Sequence, residues 1–522
     1  MFSVRLPSTF VVLMLVLAGT AHGATYYVDQ TAGNDSNPGT QAAPWRNCPG
    51  MAIYSGSRTL AAGDVVYFDR ADTWVVSSGR QGLWLTGGVR YVGNEWGSGS
   101  GRAIIRAGAD FIDNGVIRFS DHATIETVFK GFEVDVAGRV ATGIDINHGF
   151  WTLMNGATKR AEDNIVHGIF SNQNLGQYKY GIIVSNHGGT GGYAENVEIV
   201  NNVVYDSSRV GIALYPGDEN ANTRIRNILV RGNTIYRIGT DPNYCCGEGI
   251  AVKGWVVDAV IEHNYIHDTD GASIFFNSNE TNHFGTGPTN IHVRYNIITN
   301  STIHGAVRLY DGTGGSDPKD VKVYGNLIYN STTNGGLLMD SLVGTVQLRV
   351  YNNTFVNAPV LVLNPAATFP VFEFRNNIVY YTGGTPLTDS AGKITLHTNN
   401  LYYRGGGTIV SSRGTNYSAT NLSSYEPTAL SIDPLFASVT SLPTGFAGQY
   451  GVDLAPNTIG LSLQSASMAI DRGAALTSEF ADSVNSVARP AAEGWDIGAY
   501  ESGGTGLALP HAPTNLRIVS SQ

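Results

Sequence analysis

Apolar segments that each end on an asparagine, recurring at a nearly constant spacing, predict an all-β chain wound as a single-stranded parallel β-helix. The asparagines carry most of that prediction. They follow the strand-like stretches VEIVNNVVY, ILVRGNTIY, VIEHNYIH, IHVRYNIIT, VKVYGNLIY, LRVYNNTFV and FEFRNNIVY, at positions 202, 233, 264, 296, 326, 353 and 377. Asn164 and Asn400 extend the series at its two ends. A period in the twenties to low thirties marks a solenoid of stacked supersecondary units. A second element lies between the asparagines, a small residue followed by apolar alternation: GIDI at 143, GIIV at 181, GIAL at 211, GIAV at 249, AVRL at 306 and GLLM at 336. Two or three short strands per repeat, with no long Glu/Lys/Leu run, exclude a helical solenoid. The third observation is composition. Only 14% of residues are charged and 64 are glycine, a balance suited to tight turns between β-strands.

Along the chain, residues 1–23 read as a signal peptide, with Arg5, an apolar run from Phe10 to Ala18, and the small residues Ala21 and Gly23 near a cleavage point. The mature protein is therefore expected to be secreted, whether extracellular, periplasmic or associated with the cell surface. Residues 24–100 are expected to cap the N-terminal end and 101–405 to form the coils. A closing region follows at 406–501, because terminal coils would otherwise expose apolar edges, and 502–522 read as a linker or anchoring tail. In each coil the branched residues should face inward and stack, while the asparagines hydrogen-bond along one bend. They are read as structural.

The formal net charge of -10 argues against a nucleic-acid partner, which requires a basic face. No later stretch approaches the roughly 20 apolar residues of a spanning helix. Cys48, Cys245 and Cys246 are too few for a disulfide framework, and are expected to be structural thiols or at most one local disulfide. A monomer is expected.

Marking each second-element strand from its small residue gives the outward positions: Ala213 and Tyr215, Ala251 and Lys253, Arg308 and Tyr310, Leu338 and Asp340. The intervening DGASIFFNS leaves two registers open, Ser273 with Phe275 or Ile274 with Phe276. Tyrosines beside cations suit an acidic polysaccharide, the rings stacking on sugars and the cations pairing with carboxylates. Trp255 lies just beyond Lys253. His267 occupies the repeat position held by Tyr205, Tyr236 and Tyr329, which assigns it stacking on substrate and not proton transfer. The expected substrate-binding set is Tyr215, Trp255, His267 and Tyr310.

The opening blocks TYYVDQTAGNDSNPGTQAAPWRN and LAAGDVVYF, the closing blocks DPLF, SMAIDRG and RPAAEGWDIGAYE, and the asparagine repeats between them resemble secreted bacterial proteins of the pectate-lyase-like superfamily. That resemblance implies a right-handed helix acting on polysaccharides. Residues 248–311 resemble the calcium-dependent lyases of polysaccharide lyase family nine in layout. It implies Ca2+ held by Glu248 of EGIAVK and by Asp268 and Asp270 of HDTDGAS, with a basic residue at Arg308 of GAVRLYDG. Arginine stands where that family places its lysine base, and arginine stays protonated. Lys253 is then the expected base and Arg308 the group that neutralises the uronate. The expected reaction is β-elimination on an acidic glycan, alternatives being a β-helix glycoside hydrolase, which needs paired carboxylates, and a non-catalytic glycan-binding protein of the cell surface.

Overall fold

The computed structural model describes residues 23–502 apart from 78–81, 112–114, 120–124, 149–156, 172–177, 187–192, 217–223, 240–246, 278–286, 311–317, 364–365 and 493. The signal-like residues, Cys245, Cys246 and most of the tail therefore lie outside the described residues. So do many of the loop residues that follow strands of the third sheet described next.

Among the described residues the strands stack into three sheets of thirteen, twelve and thirteen strands, each turn of the chain contributing one strand to each sheet. The first sheet runs from Thr25–Val28 to Leu396–Thr398, the second from Thr73–Val76 to Leu401–Tyr403, and the third from Leu83–Leu85 to Thr415–Tyr417. Pairing within these stacks is parallel, except that Thr415–Tyr417 turns back antiparallel on Val410–Ser412 and ends the third sheet. This is a right-handed parallel β-helix.

Alternation in the sequence becomes columns in the interior. Ile182, Ile212, Ile250, Ile274, Val307 and Leu337 stand in register on successive strands of the third sheet, all at most 1% exposed. Each such side chain removed from water contributes roughly 1.5–3 kcal/mol.

The asparagines form the expected column at the bend between first and second sheets, from Asn164 to Asn400, every member fully buried. One unit shows why asparagine is required. The Oδ1 of Asn264 accepts the backbone N–H of Asn233 (3.0 Å) and its Nδ2 (2.9 Å). Its own Nδ2 donates to Val230 O (3.0 Å) and to Asn296 Oδ1 (2.9 Å). Only a short amide offers an acceptor and two donors at that reach. The final member needs acceptors alone, and the fully buried Glu426 carboxylate supplies them to Asn400 N (2.8 Å) and Nδ2 (3.1 Å).

The residue before each ladder asparagine is left-handed, with φ of 56° at Asn201, 69° at Gly232, 65° at Gly325 and 57° at Asn376. Glycine and asparagine bear that conformation at least cost, which explains the NN and GN dipeptides. His263 and Tyr295 depart from this preference, with φ of 52° and 54°. Both side chains serve to fasten the C-terminal segment.

That segment differs from a simple cap. After the last coil it folds back along the outside of the helix, burying Phe436, Leu461, Phe480, Trp495 and Tyr500 against the outward Tyr295, Tyr324, Tyr329 and Tyr351. Tyr295 donates to Asp482 O, Tyr329 to Pro443 O, and Tyr450 reaches Glu262 Oε1 at 2.8 Å. The closing block RPAAEGWDIGAYE is tied both to itself and to the coils, Asn352 Nδ2 donating to Asp496 O (2.9 Å) and Ala499 N to Thr354 Oγ1 (3.0 Å). Its fully buried Arg489 donates to Glu501 Oε2 (2.7 Å) and to the carbonyls of Asp496 and Gly498. At the other end the coils begin earlier than residue 101, since Val65–Asp69, Thr73–Val76 and Leu83–Leu85 already belong to the three sheets. The cap proper is the stretch carrying buried Trp45, Cys48 and Met51, with Trp45 stacked on Tyr26 at 4.5 Å. Cys48 is a buried free thiol.

Candidate active site on the third sheet

The outward face of the third sheet carries Lys253 and Arg308. The register runs Ala213, Ala251, Phe275, Arg308, Leu338 along one column, and Lys253, Asn277, Tyr310 along the next. It resolves the open register of DGASIFFNS in favour of Phe275, since Ile274 and Phe276 are fully buried in the interior cluster. Lys253 and Arg308 stand two strands apart in adjacent columns, about 10 Å along the stack.

Glu248 joins them for a reason the alternation rule alone hides. Two residues before the inward Ile250, it should face the interior, yet the glycine between them bends the strand. A Cβ at Gly249 would stand 2.7 Å from Ile266 Cγ2 and 2.6 Å from Ser273 O, so this position itself faces the core. The same holds at Gly211, where a Cβ would meet Ile235 Cγ2 at 2.8 Å. The residue before each glycine is thereby turned outward. Val210, the register partner of Glu248, accordingly packs with Tyr180, Ile183, Ala213 and Ala251 in a cluster separate from the core.

The floor made by Ala213 and Ala251 is fully buried, so the polar groups around it sit in a recess. Glu248 is 3% exposed, Lys253 6% and Arg308 8%. Burial raises the Glu248 carboxyl above its ordinary value, against the opposing pull of Lys253, Arg209 and Arg308. Its Oε2 has no hydrogen-bond partner among the described residues. The Nζ of Lys253 lies 5.9 Å from the Tyr215 ring centre, and the Arg308 guanidinium lies 4.6 Å from that of Tyr310 and 5.6 Å from that of Phe275. Arg308 also forks onto Asp340, through Nε to Oδ1 (3.1 Å) and Nη2 to Oδ2 (2.6 Å). Arg209, which the sequence reading missed, stands at the turn before the strand Val210–Tyr215, its guanidinium 4.0 Å from the Tyr178 ring centre. Its only signal in the sequence is its place beside a glycine-led strand. Among the described residues these three cations bear on the Glu248 carboxyl, and Asp340 pairs with Arg308.

The remaining expected residues are elsewhere. Trp255 lies past the end of its strand, at the corner leading to the first sheet, with the Arg224 guanidinium 5.0 Å from its ring centre. His267 sits on the second sheet and not in this recess. It closes a ladder of stacked rings, His167, Tyr205, Tyr236 and His267, spaced 4.9, 5.1 and 5.0 Å. Stacking is thus its structural role, with neighbouring side chains. Asp268 is one of the left-handed residues at the far bend of the second sheet (φ 52°), and its carboxylate accepts from Asn300 Nδ2 (2.9 Å) and pairs with His267 Nδ1 (2.7 Å). Asp270 accepts from Thr302 Oγ1 at 2.9 Å. Glu248, Asp268 and Asp270 therefore do not form one ligand set, and no group of three or more His, Cys, Asp or Glu among the described residues is arranged to hold a metal. The bend ladder takes the acid that the motif assigned to calcium.

A family model described as disaggregatase related matches residues 194–317, a span that includes Arg209, Glu248, Lys253 and Arg308. No curated protein matches the chain in sequence. Among solved structures, the chain is similar to XylC in complex with xylose, at 12% identity over 92% of this chain and 99% of that one, with a TM-score of 0.47. It is similar to pectate lyase Pel9A at 14% identity over 92% and 97% of the two chains, TM-score 0.37. A GH136 lacto-N-biosidase from Eubacterium ramulus gives 13% identity over 66% and 65%, TM-score 0.37. What the chain shares with these proteins is the fold its own three stacked sheets define, a right-handed parallel β-helix.

Proposed function

We propose that the chain is a secreted polysaccharide lyase that cleaves an acidic, uronate-containing glycan by β-elimination in the recess of the third sheet. The observation that carries this reading is the burial of Lys253, Glu248 and Arg308 together on an outward face, where a solubilising charge would be exposed. Cations in the recess hold the uronate carboxylate and stabilise the enolate that forms when the C5 proton leaves. Lys253 takes that proton on its amine lone pair. The C5 electron pair closes the C4–C5 double bond, the C4–O bond breaks, and the leaving oxygen takes a proton from water or from the Glu248 carboxyl. No step runs through calcium.

A glycosidase on this face would need a second carboxylate within about 5–9.5 Å of Glu248. Asp145 and Asp340 each stand three strands away, about 14 Å along the stack, whereas Asp270 leads into the adjacent strand, where Gly271 N donates to Gly247 O (2.9 Å), so the choice between elimination and hydrolysis is left to the product.

The test is a panel of pectate, alginate, chondroitin and neutral glycans, with and without chelator, followed by ultraviolet absorbance of the unsaturated uronate. Lys253→Ala should lower turnover by about 10²–10⁴-fold while oligosaccharide binding persists. Reducing ends released without that absorbance would make the enzyme a hydrolase. Binding with no product would make it a lectin-like surface protein. Loss of activity on chelation would restore a metal that this scheme omits.

A further inference from the structure

A second recess lies on another side of the molecule, where the C-terminal segment arches over the left-handed bend that precedes the asparagine ladder. The strand Phe446–Ala447 pairs antiparallel with Ala455–Pro456, and this hairpin roofs a cavity of about 730 Å³. Asn201, Arg231 and His263 line it from the coils, and Phe446, Gln449 and Tyr450 from the hairpin. Its size falls within the roughly 300–1,000 Å³ of small-molecule sites.

The charges around it are matched against one another. Arg231 lies 3.9 Å from the Tyr450 ring centre and 3.8 Å from Glu262 Oε1, the Tyr450 hydroxyl donates to the same oxygen (2.8 Å), and Arg294 holds Oε2 at 2.7 Å. His263 is different. It is 9% exposed, its ring meets Tyr295, Phe446 and Tyr450 at 5.4, 5.5 and 5.5 Å, and its Nδ1 has no hydrogen-bond partner among the described residues. It also occupies a left-handed position normally given to glycine or asparagine. Burial lowers its pKa to about 4, so the ring is neutral at physiological pH, one nitrogen donating and the other accepting. At the rim, Asn201 and Gln449 are exposed amides.

We infer that this cavity binds a neutral sugar unit, the end or a branch of a glycan, independently of the recess on the third sheet. Aromatic rings and two exposed amides recognise hydroxyls and a pyranose face. A carboxylate or phosphate finds the nearest cation already committed to Glu262 and Tyr450. Because the cavity lies at the bend between the first and second sheets, an occupant would tether the polymer without touching Lys253.

The experiment is calorimetric titration of the full chain with xylose, glucose, galactose and N-acetylglucosamine, with galacturonate as the charged comparison. At least one neutral sugar should saturate, and galacturonate should bind more weakly by about tenfold or more. Gln449→Trp, at the exposed rim, should weaken that sugar at least about tenfold with unchanged thermal unfolding, and Lys253→Ala should bind as the unaltered protein does. The inference is overturned if no neutral sugar in the panel saturates, if the rim variant binds normally, or if Lys253→Ala abolishes binding. The last result would place the sugar on the third sheet and leave the lyase reading standing.

Discussion

Replacing Asn264 by alanine removes one unit from the middle of the ladder. Four hydrogen bonds go with it: those accepted from Asn233 N and Nδ2, and those donated to Val230 O and Asn296 Oδ1. They are not equal. Asn233 Nδ2 keeps Ile199 O at 2.9 Å, and Asn296 Oδ1 keeps the Asn264 backbone N–H at 3.0 Å, so those two losses cost about 0.5–1 kcal/mol each. The Asn233 backbone N–H is left buried with no replacement acceptor, at about 1–3 kcal/mol. With the Val230 carbonyl, the sum is roughly 3–5 kcal/mol. The measurement is urea unfolding beside hydrogen exchange of the Asn233 amide, compared with Asn416→Ala, an exposed asparagine on the final antiparallel strand. Because solenoid coils are stabilised by nearest neighbours, exchange should rise most in the coils adjoining Asn264 and least near Asn377. If Asn264→Ala shifts the unfolding midpoint no more than Asn416→Ala does, the ladder does not hold the coils together.

Three further outcomes are expected. Acid should loosen the C-terminal hairpin. Folding depresses His263 from 6.5 to about 4 through burial, with Arg294 and Arg231 lowering it further and Glu262 opposing, so its contribution is full above pH 6.5 and falls through the window to 4. The loss is on the order of 3 kcal/mol. Glu262, held near 2 by Arg294, His263, Tyr450 and Arg231 against burial, extends it between 4.5 and 2. Exchange protection of residues 446–456 should track that profile, and a profile flat from pH 7 to 4 (a range set by the His263 values) would contradict it. Gly249→Ala should destabilise by about 2 kcal/mol or more, since its Cβ would strike Ser273 O and Ile266, and it should reduce turnover by moving Glu248; normal stability and rate would contradict the turned-out carboxylate. Asp340→Asn should release the Arg308 fork and tighten binding of an anionic oligosaccharide severalfold, with a steeper salt dependence; unchanged affinity would show that Arg308 does not meet the substrate.

The sequence by itself determined the solenoid, the position of its ladder and the outward columns holding Lys253, Tyr215, Arg308 and Tyr310. These follow from period-2 alternation inside a strand and from a repeat length that sets one coil, both properties of neighbouring residues. Tertiary structure decided what alternation cannot express. Glu248 faces outward because a column of glycines at the corner presses into the core, a contact made with Ile266 and Ser273 of the next coil. Arg209 reaches the recess from a turn. His267 and Asp268 share a short stretch of chain with Asp270, yet their side chains are used by the second sheet and its bend, where stacking rings and Asn300 claim them. The C-terminal residues 406–501 read as a closing region at the end of the stack, yet they run back along the coils because outward tyrosines there give them apolar surface to bury. In each case the deciding contact joins residues a full coil or more apart, and a linear pattern carries no information about which side chain a neighbouring coil will bring to meet it.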